Sequence, residues 1–182
     1  LREDRRHNQD RDREVLKNTV QVKLNLELAM NPQIVDIACR VAPDQVTIVP
    51  ENREEVTTEG GLDVVRHKKE LAATIGKLQD AGIIVSLFID PEPEQIQTAA
   101  ALSVPAVELH TGAYANAAKN SLEELQLLAR AATFVHQAGL ILNAGHGLTY
   151  RNVTPVAELE GMEELNIGHS IVARAVFVGM AE

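Results

Sequence analysis

The chain has 182 residues and a formal net charge of −9, because 26 Asp and Glu side chains outnumber 17 Lys and Arg. This acidic balance argues against nucleic acid or an anionic membrane as a partner, since both attract positively charged surfaces. Hydrophobic residues make up 45% of the chain, enough for a packed core, and a single cysteine, Cys39, excludes an internal disulfide.

Short apolar runs alternate along the chain with longer segments of helical spacing. Several of these runs are rich in β-branched residues, which is typical of strands buried on both faces of a parallel sheet. Each run ends in polar or glycine-rich residues. The six predicted strands are Val22–Leu28, Gln45–Val49, Ile83–Ile89, Ala106–His110, Leu140–Asn143 and Glu164–Ile167.

Helices are predicted before the first strand and after each strand. The first runs from Asp12 to Val20, and Cys39 lies on the second among apolar neighbours, as a core residue would. Three helix starts carry capping signals. They are the Asn31-Pro32 pair, the Asp90-Pro91 pair, and the capping box of Ser121 with Glu124.

The predicted order is therefore one helix followed by six βα units, with no linker dividing residues 1–182. We predict a single α/β domain. Two architectures accommodate six parallel strands: an open doubly wound sheet, or a (β/α)8 TIM barrel represented by about six of its units. A complete barrel has about 250 residues. The start at Leu1 rather than Met favours the barrel, with its first strands outside this sequence.

Ionisable residues occur at or near the carboxyl ends of the predicted strands, where α/β folds place their active sites. They are Glu27, Glu51, Glu108, His110, His146 and His169. Strand alternation puts Asn25 and Glu27 on one face, which is the lumen in a barrel. A carboxyl group there is suited to acid/base chemistry. An ion-paired structural glutamate is the competing interpretation of Glu27.

Two glycine-containing turns predict a phosphate site. Residues 143–147 read Asn-Ala-Gly-His-Gly after the fifth strand, and Gly168 with His169 opens the last helix. Glycine permits close backbone approach, and the N–H groups of a helix start attract an anion. The same residues are also compatible with two ordinary βα turns. Neither turn matches a Walker loop or the dinucleotide fingerprint, so nucleotide binding is not predicted.

Two further segments are candidates for substrate contacts. If a strand ends just before Leu1, Arg2 and His7 lie at the mouth of the barrel and can hold a phosphate. The polar stretch 50–61 ends in two glycines and is suited to a mobile lid, with Thr57 and Thr58 as phosphate contacts. The lid segment is equally compatible with an exposed loop that has no chemical role. At the amino end, a solvent-exposed helix start is the alternative, and it is preferred for Arg5, Arg6, Arg11 and Arg13.

A metal site is less favoured, because no histidine pair has the close spacing of a zinc motif. Two alternative interpretations of the function remain. The chain is compatible with a sugar-phosphate isomerase or aldolase, and also with a non-catalytic fragment or interaction module. A Schiff-base aldolase needs a lysine at the carboxyl end of a strand. The six lysines avoid those ends, and Lys23 falls inside a predicted strand.

Long motifs resemble the pyridoxine 5'-phosphate synthase family. They are residues 1–7, 25–27, 49–51, 55–63, 143–150 and 164–169. The resemblance implies a (β/α)8 barrel that closes the ring of vitamin B6, a transferase-type reaction. It would condense 1-deoxy-D-xylulose 5-phosphate with 3-amino-2-oxopropyl phosphate to pyridoxine 5'-phosphate, phosphate and water. It also implies a cytoplasmic homo-oligomer, typically an octamer, with no metal or organic cofactor.

The resemblance also assigns roles to individual residues. Glu27 and His146 match the acid/base groups of the family. Contacts to deoxyxylulose phosphate match Arg2, His7 and Thr57, and contacts to the amino-ketone phosphate match Gly147, Gly168 and His169. The family also has a catalytic histidine and a first-strand Asn-Ile-Asp-His phrase before the position of Leu1. Because these are not in this sequence, and the last helix ends early at Glu182, we expect a domain incomplete at both ends.

Overall fold

The computed structural model describes residues 9–50, 60–117 and 121–180. The strands in these ranges are β1 (Asn25–Leu28), β2 (Gln45–Ile48), β3 (Ile84–Ile89), β4 (Ala106–His110), β5 (Ile141–Gly145) and β6 (Met162–Asn166). The helices are α1 (Asp10–Thr19), α2 (Pro32–Val41), α3 (Lys68–Asp80), α4 (Pro93–Ala101), α5 (Gly112–Asn116), α6 (Ser121–Gln137), α7 (Val153–Ala157) and α8 (His169–Val178). None of the helices in these ranges has the length and apolar character needed to cross a bilayer.

The six strands form one parallel sheet whose spatial order, β1-β2-β3-β4-β5-β6, is the order of the sequence. In a doubly wound sheet, the spatial order of the strands reverses at a switch point. The strand order of this sheet has no such reversal. An uninterrupted order with helical crossovers is the arrangement of a (β/α) barrel wall. The structure therefore confirms the barrel prediction, as six successive βα units.

The hydrophobic core lies between the sheet and its helices. Alternate residues of each strand, such as Val85, Leu87 and Ile89 on β3, point toward the helices and are fully buried. The helices pack apolar stripes against them, such as Leu71, Ile75 and Leu78 on α3. This packing fixes the outer face of the sheet, so the alternate residues point to the opposite face.

That opposite face of the sheet is polar. Its buried side chains include Thr47, Ser86, Glu108 and Asn143 from four neighbouring strands. An ion pair between Lys23, just before β1, and Glu164 on β6 spans this face. Because β1 and β6 are the two edge strands, the pair shows that the sheet curls around a polar lumen.

Several predicted boundaries are wrong by two or three residues. β1 begins at Asn25 rather than Val22, so Lys23 precedes the strand instead of lying in it. β6 begins at Met162 rather than Glu164, next to a register shift at Leu142/Asn143 that strand alternation does not anticipate. α4 begins at Pro93 with Glu92 as its N-cap, not at Asp90-Pro91. The Asn31 cap is confirmed: its side chain accepts a hydrogen bond from the Gln33 N–H.

Candidate active site

The carboxyl ends of β3 to β6 bring a group of ionisable side chains together around the lumen. Of the predicted site residues, Glu27, His146, Gly147, Gly168 and His169 fall in the part of the chain that the structure describes. Arg2, His7, Glu51 and Thr57 lie outside the described residues, as do residues 51–59 of the predicted lid, which include Thr58.

Glu27 lies on the lumen side of β1, opposite Thr47 of β2, and is exposed. Its charge reaches Glu108, three strands away, where it disfavours a second negative charge. The two carboxyl groups therefore interact electrostatically across the lumen.

Glu108 is the most perturbed carboxyl group of the described site. It lies on β4, is 3% exposed, and accepts a hydrogen bond from the Asn166 side chain at 2.7 Å. Burial, followed by the charge of Glu27, raises its pKa to about 8, although the Asn166 hydrogen bond acts in the opposite direction. Glu108 is therefore mainly protonated at neutral pH and able to donate a proton or a hydrogen bond.

His146 follows β5 with a φ of +84°, a conformation that is costly for a residue with a side chain. The buried Thr111 hydroxyl donates to the carbonyl oxygens of Gly145 and His146 at 2.7 and 2.6 Å, and holds this turn in place. Burial and the nearby His110 lower the pKa of His146. His146 is therefore neutral near pH 7 and suited to accept a proton.

His110 lies beside His146, with ring centroids 5.0 Å apart. Its Nδ1 is 2.9 Å from Asp90 Oδ1, and the same oxygen accepts the Gly61 N–H at 3.0 Å. The edge of the Phe88 ring packs against His110, with a centroid distance of 5.2 Å. These contacts place an aspartate, two histidines and an aromatic ring in one cluster at the ends of β3, β4 and β5.

Two glycines make this close arrangement sterically feasible. A Cβ at Gly112 would lie 2.5 Å from His110 Nε2 and 3.3 Å from the His146 ring. At Gly145, a Cβ would lie 2.3 Å from a carboxyl oxygen of Glu108. A side chain at either position would therefore displace the His110 ring or the Glu108 carboxyl group from its place in the site.

The two glycine-containing turns predicted as a phosphate site are adjacent in the fold. The Ser170 hydroxyl, in the first turn of α8, donates to the Leu148 carbonyl oxygen in the turn after β5 at 2.8 Å. Gly147 has a φ of +76° and is exposed, as is His169, which follows Gly168, the N-cap of α8. The backbone N–H groups of the α8 start therefore open beside Gly147, a geometry that suits an anion.

Among residues 9–50, 60–117 and 121–180, no three His, Cys, Asp or Glu side chains lie close enough together to hold a metal ion. Lys23, which pairs with Glu164, precedes β1 at the amino-terminal end of the sheet, away from the cluster.

Sequence reasoning missed Asp90 and Asn166 as members of the site. The Asp90-Pro91 pair indicates a helix start, although a position directly after a buried strand is a signal of equal weight for a site residue. From the sequence alone, Asn166 can be identified only as a polar residue in the sixth strand. Their partners, His110 and Glu108, are 20 and 58 residues away in the sequence.

The chain is similar over its whole length to proteins of one known family. The family model of the pyridoxal phosphate biosynthesis protein PdxJ matches residues 1–182. The chain is 57% identical over 183 residues to a pyridoxine 5'-phosphate synthase from Rhodopirellula baltica, covering 100% of this chain and 74% of that protein. A synthase from Pelobacter propionicus is 52% identical over 185 residues, covering 99% of this chain and 76% of that protein. The chain thus spans about three quarters of these relatives.

Solved structures support the fold. The α subunit of tryptophan synthase from Campylobacter jejuni superposes with a TM-score of 0.60 at 12% identity, covering 88% of this chain and 62% of that one. An aldolase named QR15 superposes with a TM-score of 0.56 at 13% identity, covering 93% and 81%. At such low identity the likeness concerns the barrel architecture and not the chemistry.

Proposed function

Because the chain belongs to the PdxJ family of vitamin B6 biosynthesis enzymes, we propose that it condenses 1-deoxy-D-xylulose 5-phosphate with 3-amino-2-oxopropyl phosphate. The products are pyridoxine 5'-phosphate, phosphate and water. The family membership rests on the match over residues 1–182 and on relatives that are more than half identical. The substrates and the residue roles are the proposed part.

One observation carries the proposal: two groups at the carboxyl ends of adjacent strands have proton affinities displaced in opposite directions. The pKa of Glu108 is raised to about 8 and the pKa of His146 is lowered. Near neutral pH the site therefore holds a protonated carboxylic acid and a neutral imidazole together. Such a pair provides an acid and a base at the same pH.

This ring closure needs both kinds of group repeatedly. The substrate amine attacks a ketone and loses a proton, and the resulting alcohol leaves as water after it is protonated. Phosphate is eliminated as a neighbouring carbon loses a proton, and the ring then closes by carbon–carbon bond formation at the second ketone, so that two waters leave in all. We assign proton removal to His146 and proton donation to Glu108. Glu27 is exposed on the lumen wall, and its carboxylate serves as a base in addition to His146.

Both substrates are phosphate esters, and the acidic chain must bind them locally. We propose that the amino-ketone phosphate binds where Gly147 lies beside the start of α8, with contacts from Gly168 and His169. Backbone N–H groups and the helix dipole supply the positive potential there. Arg2, His7 and Thr57 stay predictions for the deoxyxylulose phosphate. The octameric assembly and the cytoplasmic location also stay predictions, and light scattering would measure the assembly.

The aldolase alternative is not favoured by any specific observation. A Schiff-base mechanism needs a lysine among the site residues, and the described carboxyl-end cluster consists of carboxyl, imidazole and amide groups.

The proposal is tested by assaying the full-length protein for pyridoxine 5'-phosphate with both substrates present. We expect His146→Asn to reduce turnover at least about 100-fold, since general base catalysis contributes that much. The matched control is His136→Asn, because His136 lies near the end of α6 and contacts the Glu160 carbonyl oxygen. Absence of product from the folded wild-type protein would refute the assigned reaction, and full turnover by His146→Asn would remove His146 from it.

A further inference from the structure

We propose that Asn166 is a positioning residue for Glu108, because it holds one carboxyl oxygen, Oε2, and leaves the other, Oε1, to exchange the proton. The inference deepens the proposed function and rests on it, since it names the residue that aims the proposed acid. Its basis is the contact that these two side chains make across β5.

The first step is the path by which the two side chains meet. Glu108 lies on β4 and Asn166 on β6, so β5 separates them. The β5 residue that pairs with Asn166 is Gly145. A Cβ on Gly145 would overlap Glu108 Oε1 and lie 3.2 Å from the Asn166 Cβ. Because Gly145 has no side chain, the Asn166 amide reaches Glu108 and donates to its Oε2 at 2.7 Å.

The second step is the difference between the two carboxyl oxygens of Glu108. An amide N–H can only donate, so it occupies Oε2 whether Glu108 is ionised or protonated. Oε1 lies instead against the backbone of Gly145, the residue directly before His146. A proton on the carboxyl group is therefore favoured on Oε1, because Oε2 already accepts a hydrogen bond. The opposite arrangement, in which the Asn166 carbonyl oxygen accepts from a protonated Oε2, is the alternative that the test must exclude.

The third step concerns the surroundings of the Glu108 carboxyl group, which is 3% exposed. Burial and the charges of Glu27 and Glu164 oppose its ionisation and raise its pKa, whereas the Asn166 hydrogen bond favours ionisation and lowers the pKa. The Asn166 contact thus both orients the acid and keeps its proton from being held too tightly. The ionisable groups on the elements around Glu108 are Glu27 on β1, Asp90 after β3, His110 on β4, His146 after β5 and Glu164 on β6.

The test is the titration of Glu108 by carbon-13 NMR in the full-length protein, where its signal is identified by its loss in Glu108→Gln. Asn166→Leu keeps the approximate size of the side chain and removes the N–H donor. We expect the Glu108 midpoint to rise by about 1 to 2 pH units, since a hydrogen bond to a charged group has about that strength. If the Asn166 carbonyl oxygen accepted from the acid instead, the same change would lower the midpoint.

Turnover provides a second measurement on the same variant. A misdirected acid should lower kcat about 10- to 100-fold with little change in KM. The high-pH limb of kcat/KM should move to higher pH together with the Glu108 midpoint, because the acid must be protonated to act. A merely structural loss would lower the rate without moving this limb.

A control variant and a wild-type measurement complete the test. Asn25→Leu removes a lumen amide at the start of β1 that accepts the Thr47 hydroxyl at 3.1 Å, and should leave the Glu108 midpoint and kcat unchanged. In the wild-type protein, the side-chain amide signals of Asn166 should shift with pH at the Glu108 midpoint. This measurement needs no variant that might misfold.

The possible results separate the positioning contact from the reaction. The positioning role is overturned by an unchanged or lowered Glu108 midpoint in folded Asn166→Leu, by an unchanged kcat there, or by Asn166 amide signals that do not follow the Glu108 titration. Equal changes in Asn25→Leu overturn it as well. A raised midpoint in a protein whose wild-type form makes no pyridoxine 5'-phosphate supports the contact and refutes the proposed function instead.

Discussion

Glu108 links the proposed acid chemistry to stability at a single residue. Its carboxyl group is buried in the folded protein, where its pKa is about 8, whereas the ordinary value is 4.5. Between these two values the unfolded chain has released the proton and the folded chain retains it. Unfolding therefore releases a proton, and the free energy of unfolding must fall as the pH rises through this window.

We predict that Glu108→Gln stabilises the protein near neutral pH while reducing turnover. Glutamine still accepts the hydrogen bond from Asn166 and carries no charge, so the pH-dependent penalty disappears. At about pH 7 the penalty is on the order of 3 kcal/mol, from roughly 2.5 pH units at 1.4 kcal/mol each. Urea denaturation at several pH values measures it, and the gain should vanish near pH 4.5. Glu158→Gln, at an exposed position, is the control.

A second prediction concerns the hydroxyl group that holds His146. Thr111→Val keeps the side-chain shape but removes the donor to the His146 carbonyl oxygen, and the turn at φ +84° loses a restraint. We expect a loss of about 0.5–1.5 kcal/mol in the free energy of unfolding, the usual net contribution of one hydrogen bond. Thr133→Val removes an exposed hydroxyl contact on α6 and should change the free energy of unfolding by less than about 0.5 kcal/mol. Equal effects in both variants would contradict the special role of Thr111.

At the scale of elements, local signals predict the bounds of some strands better than those of others. The bounds of β4 match the prediction Ala106–His110. The start of α4 does not match, because the Asp90-Pro91 pair resembles a local helix signal. In the fold the Asp90 oxygen is occupied by Gly61 and His110, both distant in sequence. Composition and periodicity cannot show such a partner, since it exists only after the strands are aligned.

A prediction at the scale of elements concerns the stability that the N-cap of α2 contributes. The Asn31 side chain accepts the Gln33 N–H at 2.9 Å, and Pro32 occupies the first helical position. We expect Asn31→Ala to cost about 1 kcal/mol, the usual value for an N-cap. Chemical denaturation measures this loss. Gln33→Ala, exposed one residue into the same helix, is the matched control, and a comparable loss there would show that the cap contributes nothing specific.

At the scale of the molecule, six strand–helix units are compatible with both a barrel and a doubly wound sheet, and the sequential strand order confirms the prediction of a barrel. The site can be predicted in part from the sequence, because the strand ends in such folds converge on one rim of the barrel. The sequence places Glu108 and His110 at that rim but assigns them no roles. Their roles depend on burial and on neighbours across the lumen, such as Glu27 acting on Glu108, which only the curled sheet defines.

The strand order has a further consequence for how the chain is made. Each strand pairs with the strand directly before it in sequence, from β1–β2 to β5–β6. A nascent chain leaving the ribosome can therefore add one βα unit at a time to an edge already formed, and no strand waits for a later one to be inserted between its neighbours. The contact between Lys23 and Glu164 joins residues 141 positions apart, so it forms only after the last strand has been synthesised.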